Sequence, residues 1–274
     1  MPTQYEIGVI GAGNAAEGIV DGILRKSVLF DDRLIAADPC EARRKLFAER
    51  FGIAVTDDNR RVVKNSYIVM LAVKPQIWRE VLTGFGDLIC PDHLVVSIMA
   101  GISTAAIESQ IPQAEPRVVR VMPNLPMHVG AGMAGVHAGQ FATEADRLHA
   151  QRVFDACGRS LVIEDEAMMD AVTAVSGTGP AYFYYFAEAL IAAGEKMGLP
   201  HQYASLMALH ACYGAARMML ETGETPAQLR DKVSSPGGTT QAAVECMRES
   251  RVFERIVAAV QSARDRSEEL GTNP

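Results

Sequence analysis

The chain's 274 residues leave room for one or two domains at about 150 residues apiece. Hydrophobic residues make up 49% and charged residues 22%, a globular composition with apolar material for a full core, which excludes disorder. Basic residues number 26 against 33 acidic, a net charge of −7 with no long basic run, which argues against a nucleic acid or an anionic membrane as partner.

The opening residues, MPTQYEIGVIG, run straight into a strand with no basic-then-apolar leader. Through residue 164, β-branched runs alternate with helical stretches. The expected strands are Glu6–Ile10, Leu34–Ala37, Ile68–Val73, Leu94–Ile98, Val118–Met122, Met133–Val136 and Ser160–Ile163. Several are apolar on both faces, which indicates an α/β domain with a mostly parallel sheet covered on each side. The longest apolar stretches, Tyr67–Val73 among them, are far short of the roughly 20 residues of a membrane span. The five cysteines (Cys40, Cys90, Cys157, Cys212 and Cys246) lie far apart without a C-x-x-C pair, as expected of buried thiols in a reducing cytoplasm.

From residue 165 the strand signal stops. Helices are expected over Asp165–Ala174, over Pro180–Met197, after Leu199-Pro200 through Leu220, and in an amphipathic region over Thr240–Leu270. Between Ala181 and Gly194 the only charge is Glu188, and between Tyr203 and Leu220 it is Arg217. Two helices apolar nearly all round need more cover than about 110 residues supply, so a second subunit is expected over them. The domains are read as 1–164, nucleotide-binding, and 165–274, helical.

The turn Gly11-Ala12-Gly13-Asn14-Ala15-Ala16 closes the first strand and opens a helix. Gly11 permits the tight turn, Gly13 lets a pyrophosphate approach, and Ala16 lets helix and strand pack closely. The helix N-terminus then offers amides to the phosphates. Asp38 ends the second strand, where an acidic residue accepts hydrogen bonds from an adenosine ribose or simply caps the next helix. Arg43 and Arg44 stand close enough in sequence to offset its charge, so NADH and NADPH both stay open. Later strand ends, Ala72-Val73-Lys74-Pro75 and Ser97-Ile98-Met99-Ala100-Gly101, belong to the same edge. Lys74 is either a phosphate, ribose or substrate contact or a solvated lysine before a proline turn. Asn124, in the loop Met122–Pro126, either holds a polar atom or belongs to a plain turn.

Two loops, Ser176–Pro180 and Ser234–Thr240, place hydroxyls and amides ahead of helices, a seat for a small carboxylate or simple caps. In the second, four hydroxyl residues and two glycines in seven positions exceed what a cap needs. The six histidines form no metal pair with a carboxylate, and neither a G-x-S-x-G elbow nor a P-loop occurs. A chain without an obvious strong acid fits hydride transfer, in which a cofactor carries the chemistry.

With IGVIGAGNAAEGI, LAVKPQ, VVSIMAGIS, RVMPNLP, AVSGTGPAYFYYFAEAL, KMGLP and QLRDKVSSPGGTTQAAVE in order over essentially its whole length, the chain resembles the pyrroline-5-carboxylate reductases. The resemblance implies a Rossmann-like domain and an all-α C-terminal domain that interlocks in a homodimer, whose dimers can assemble into rings. It implies a site formed where the cofactor domain meets the helical domain of the dimer. Ile10, Gly11, Ala12, Gly13, Asn14, Ala15, Asp38, Asn59, Ala72, Val73, Lys74, Pro75, Ile98, Met99, Ala100 and Lys232 would line NADPH or NADH. Ser235, Gly238, Thr239 and Thr240 would hold the substrate, 1-pyrroline-5-carboxylate, and Glu166 and Lys74 would lie near it. Ala15 stands where the family commonly has methionine, Met99 where alanine is usual, and Leu125 where threonine is usual. Lys232 takes a position where asparagine also occurs. Asp38 replaces a small hydroxyl residue that often helps bind the 2′-phosphate of NADPH.

The expected reaction is hydride transfer to a cyclic imine carbon, giving L-proline. A hydroxyl such as that of Thr240 is too weak an acid to protonate the ring nitrogen unaided. It is assigned hydrogen bonding to that nitrogen, with Ser235 on the carboxylate. The alternatives are a related imine or β-hydroxyacid reductase and a non-catalytic NAD(P)-binding regulator. Against the β-hydroxyacid reading, Asp165–Ala174 offers Asp170 but no lysine; against the regulator, the whole substrate seat is kept.

Overall fold

The computed structural model describes residues 3–113 and 115–272. The first unit runs through Thr178 and takes up the chain again from Ala263. In chain order it contains β1 (Tyr5–Ile10), α1 (Asn14–Arg25), β2 (Leu34–Ala37), α2 (Glu41–Phe51), β3 (Ala54–Thr56), α3 (Asn59–Asn65), β4 (Ser66–Leu71) and α4 (Trp78–Thr83). There follow β5 (Leu94–Ser97), α5 (Thr104–Glu108), β6 (Arg117–Met122), β7 (Gly132–Ala138), α6 (Glu144–Asp155), β8 (Gly158–Val162) and α7 (Met169–Val172). One sheet results, in the order β3-β2-β1-β4-β5-β6-β7-β8. All neighbours are parallel except β6 and β7.

Alternation along the strands feeds two cores. Ile7, Val9, Leu34, Ala36, Ile68, Met70, Val119 and Val121 pack with Ile19, Ile23, Phe47 and Phe154 from α1, α2 and α6. Ile10, Ile35, Val69, Leu71, Val95 and Val118 pack with Val62, Trp78, Leu82 and Ile107 from α3, α4 and α5. Each fully buried large side chain contributes roughly 1.5–3 kcal/mol, and both faces of the sheet are therefore dry. Burial pushes the Cys157 thiol up to about 12, so it packs as a small apolar group. Local signals set the helix ends. Asp58 accepts from the Arg60 amide at the start of α3, Ser103 from the Ala106 amide at the start of α5, and Thr143 and Asp146 form a reciprocal cap on α6.

The second unit comprises α8 (Gly179–Lys196), α9 (His201–Thr222), α10 (Pro226–Lys232), α11 (Thr239–Glu249) and the first part of α12 (Val252–Thr272), to Ser262. A Cβ at Gly194 would stand 2.9 Å from that of Ala204, so α8 and α9 touch at small residues. Their large apolar side chains point outward: Phe183, Tyr185, Leu206, Met207 and Tyr213 are each more than half exposed.

Several expectations change, and of the five cysteines expected as buried thiols only Cys157 is buried, while Cys40 and Cys246 are exposed. The three-residue edge strand β3 and the short α10 carried too few residues for a periodic signal. Strand β4 ends at Leu71 rather than Val73, and Pro75 opens a 3₁₀ turn. The single helix expected over 165–174 is a 3₁₀ turn (Glu166–Met168), α7 and a π turn (Thr173–Gly177). The stretch 240–270 breaks between α11 and α12, where Arg251 has φ +55°. The compact units part after Thr178, because Glu166 and Asp170 are tied to the sheet. Among the described residues no helix is long and apolar enough to cross a membrane.

Candidate active site

The first unit presents its turns at the carboxyl ends of β1 and β4, where strand order reverses, the crevice in which open α/β sheets bind ligands. Gly11 has φ +100°, and a Cβ there would stand 2.7 Å from the Ala72 carbonyl oxygen, so only glycine fits. Its amide donates to the Ala37 carbonyl at 2.8 Å, and the Ala72 amide to that of Ile10 at 2.9 Å. Gly13 caps α1 with no side-chain hydrogen bond, and a Cβ on it would meet nothing within 4 Å. The open approach and the uncapped helix start fit a dinucleotide pyrophosphate. Asn14 is exposed and Ala15 half-buried beside them.

At the end of β2, Asp38 accepts from the Ala12 amide through Oδ2 and from the Cys40 amide through Oδ1, each at 2.8 Å. Asn59 opens α3 just past β3. The next strand end supplies Ala72, Val73, Lys74 and Pro75; among the described residues the Lys74 ammonium has no partner. Beyond β5, the Ile98 amide donates to the Leu71 carbonyl at 3.1 Å. Met99 is only 2% exposed, its side chain turned into the core of the α3–α5 face. Met99 therefore leaves its backbone at this strand end, beside Ala100, and not the side chain that marks its departure from the family. Asn124 is a staple: its Oδ1 accepts from the Met133 amide at 2.9 Å and its Nδ2 donates to the Ser176 carbonyl at 3.2 Å.

Glu166 spends its carboxylate on the fold. One oxygen accepts from the Thr104 amide at 2.7 Å and pairs with Arg120 at 3.3 Å; the other accepts from the Thr104 hydroxyl at 2.8 Å. Arg120, 3% exposed on β6, also pairs with Asp170 at 3.1 Å, and Asp170 accepts from the Ser267 hydroxyl at 2.7 Å. His137 Nδ1 donates to the Ile163 carbonyl at 2.8 Å, which fixes its tautomer. Close by, burial and the Glu166 charge hold the Glu108 carboxyl above its usual range. Reasoning from the sequence missed this network; its one signal is an arginine in the otherwise apolar run Val118-Val119-Arg120-Val121-Met122.

The second unit carries the hydroxyl loop. Gly237 has φ +70°, and its amide donates to Gln241 Oε1 at 2.7 Å. The Gly238 amide donates to the Ser235 carbonyl at 2.9 Å, and Gly238 caps α11 without a side-chain hydrogen bond. Ser234 is used structurally, its hydroxyl donating to the Arg230 carbonyl at 2.7 Å. Among the described residues the hydroxyls of Ser235, Thr239 and Thr240 have no partner. Three such hydroxyls on an uncapped helix start offer donors of the kind that suit an anion. Lys232, expected against the cofactor, is ion-paired with Glu224 inside the same unit. No group of three or more His, Cys, Asp or Glu among the described residues could hold a metal ion.

Residues 166–270 match the family model for pyrroline-5-carboxylate reductase dimerisation, and residues 6–101 that of the coenzyme F420-dependent NADP oxidoreductases. The chain is 39% identical over 269 residues to a pyrroline-5-carboxylate reductase of Pseudomonas aeruginosa, covering 97% of this chain and 98% of that one. A solved pyrroline-5-carboxylate reductase from Coxiella burnetii superimposes with a TM-score of 0.88 at 33% identity, covering 98% and 99% of the two chains. A solved pyrroline carboxylate reductase from Plasmodium falciparum, with NADP bound, gives 0.89 at 27% identity over the same shares.

Proposed function

Because the chain belongs to the pyrroline-5-carboxylate reductase family, we propose that it reduces 1-pyrroline-5-carboxylate to L-proline with a reduced nicotinamide dinucleotide. The observation that carries this reading is the loop ahead of α11, whose free hydroxyls and uncapped amides suit a carboxylate next to a polar ring nitrogen. A non-catalytic nucleotide sensor needs no such seat.

When bound, the cofactor supplies the hydride that the imine carbon accepts. Gly13, Asn14 and Ala15 would receive its pyrophosphate on their open backbone amides, over the turn that Gly11 and Ala12 shape with their own amides already bonded to the Ala37 carbonyl and Asp38. Asp38 and Asn59 would hold its adenosine end, and Ile10, Ala72, Val73, Pro75, Ile98, Met99 and Ala100 would form the backbone wall for the ring. Ser235, Gly238 and Thr239 bind the substrate carboxylate through hydroxyl and amide donors. Thr240 places its hydroxyl on the ring nitrogen, which takes its proton from water or arrives already protonated. Lys74, free of internal partners, contributes positive charge toward the anionic ligands. Glu166 acts from behind, through the Thr104 amide, as a positioning residue. Lys232 is poised by Glu224 on the substrate unit. Holding the reacting atoms at about 3–3.5 Å supplies much of the rate, because orientation is fixed before reaction. The enzyme acts as a homodimer, with rings of dimers as its larger assembly. Its five unpaired cysteines support a cytoplasmic setting.

The test is loss of nicotinamide absorbance when enzyme, reduced cofactor and the cyclic imine are mixed. Thr240→Ala is expected to lower kcat/KM by roughly tenfold to a hundredfold, about 1.4–2.7 kcal/mol. An unchanged kcat/KM in that variant removes Thr240 from the mechanism, and a wild-type enzyme inert toward the imine removes the function.

A further inference from the structure

The turn after β2 discriminates between the two reduced dinucleotides, an inference that rests on the nucleotide-binding reading above. A dinucleotide seated on a glycine turn places its adenosine ribose at the end of the second strand. There the Asp38 carboxylate is already fixed, held by the Ala12 amide of the glycine turn and by the Cys40 amide of its own turn. A carboxylate oxygen that takes one amide keeps lone pairs to accept a ribose hydroxyl. A 2′-phosphate has no such proton to give at its charged oxygens. It would bring further negative charge against an anion that cannot swing away.

Of the two arginines of this region, Arg43 is committed elsewhere and Arg44 spends one nitrogen on the backbone of the turn itself. Arg43 donates through Nε to the Ala12 carbonyl at 2.5 Å, pairs with Glu17 at 2.8 Å, and lies over the Phe47 ring. Arg44 donates through one nitrogen to the carbonyls of Asp38 and Pro39, each at 2.8 Å, bracing the turn that presents the carboxylate. The second arginine on Glu17, Arg50, is bound at 2.6 Å. The guanidinium groups thus hold the turn and the start of α1 together, and the ribose end keeps the negative character that Asp38 gives it.

We infer that Asp38 makes this chain NADH-preferring by rejecting the 2′-phosphate of NADPH. Calorimetric titration of the full-length protein with NAD⁺ and with NADP⁺, which differ only in that phosphate, tests this without any imine. NAD⁺ is expected to bind about tenfold tighter or more at low salt, and the ratio is expected to narrow as salt screens the repulsion. Asp38→Asn, which keeps the shape and removes the charge, and Asp38→Ser are each expected to raise NADP⁺ affinity about tenfold. Thermal melts of both variants check that they fold. Equal or tighter NADP⁺ binding by the wild-type protein, through the remaining Arg44 donors, overturns the inference. So does a preference that neither variant changes, or binding of neither nucleotide. A protein that prefers NAD⁺ in this titration but reduces no imine leaves the inference standing and defeats the proposed reaction instead.

Discussion

Asp38, Glu108 and the glycines of the first turn show how single positions are constrained by what surrounds them. Gly11 is required by a left-handed backbone pressed on the Ala72 carbonyl, while Gly13, where a Cβ would meet nothing within 4 Å, is required only by a ligand that would approach it. These requirements are local, so G-x-G-x-x-A is readable without a structure. Glu108 is different: burial, then the neighbouring Glu166 charge, raises its carboxyl, against the lowering effects of the Gln140 amide and His137. A raised folded-state value means that ionisation opposes folding. Its stabilising contribution is present below the ordinary glutamate range and is lost as pH rises through the raised value. Glu108→Gln keeps the acceptor for the Gln140 amide, 3.1 Å away in the wild type, and removes the charge. Its Tm is expected to exceed the wild-type value at pH 7, with the difference shrinking toward pH 4, as read by calorimetric melts at both.

Between elements, the deciding contact is the ion network on β6. Arg120 joins Glu166, Asp170 and, through Asp170, Ser267 near the end of α12. The same end of α12 lies against the loop after β5: a Cβ on Gly101 would stand 2.4 Å from the Ser267 carbonyl oxygen. The last helix therefore braces the stretch that carries Ile98, Met99 and Ala100. Removing one member of a buried ion group leaves the others unpaired, so Arg120→Met is expected to cost about 3–5 kcal/mol, measured by denaturant unfolding. Ser267→Ala removes one hydrogen bond to a charged group and is expected to cost about 1.5–3 kcal/mol. Apart from the arginine in an apolar run, this was not legible beforehand, because the partners stand 46, 50 and 97 residues apart along the chain.

The whole molecule is incomplete as a single chain. Helices α8 and α9 turn aromatic and long aliphatic side chains to the outside, and a soluble monomer seldom exposes so continuous an apolar surface. The match to the dimerisation model over residues 166–270 explains that face as an oligomer interface. The double variant Leu206→Asp, Tyr213→Asp places two charges there. It is expected to sediment as a monomer in analytical ultracentrifugation and to lose most of its activity. A variant that remains dimeric and active would place the interface elsewhere.

Periodicity, glycine turns and the uncharged runs determined what depends on neighbours in sequence: a mostly parallel sheet, a tight glycine turn opening the first helix, a hydroxyl-rich loop ahead of a late helix and the need for a second subunit. Each follows from backbone sterics or from the burial demanded by apolar side chains, and both act over a few residues. Tertiary structure alone decided which polar groups are spent and which are free. It turned Met99 inward, consumed Asn124 and Glu166 in the fold, paired Lys232 with Glu224, and left Lys74, Ser235, Thr239 and Thr240 without a partner among the described residues. Those outcomes depend on groups brought together from distant parts of the chain, where hydrogen-bonding capacity is shared by proximity and sequence order has no say.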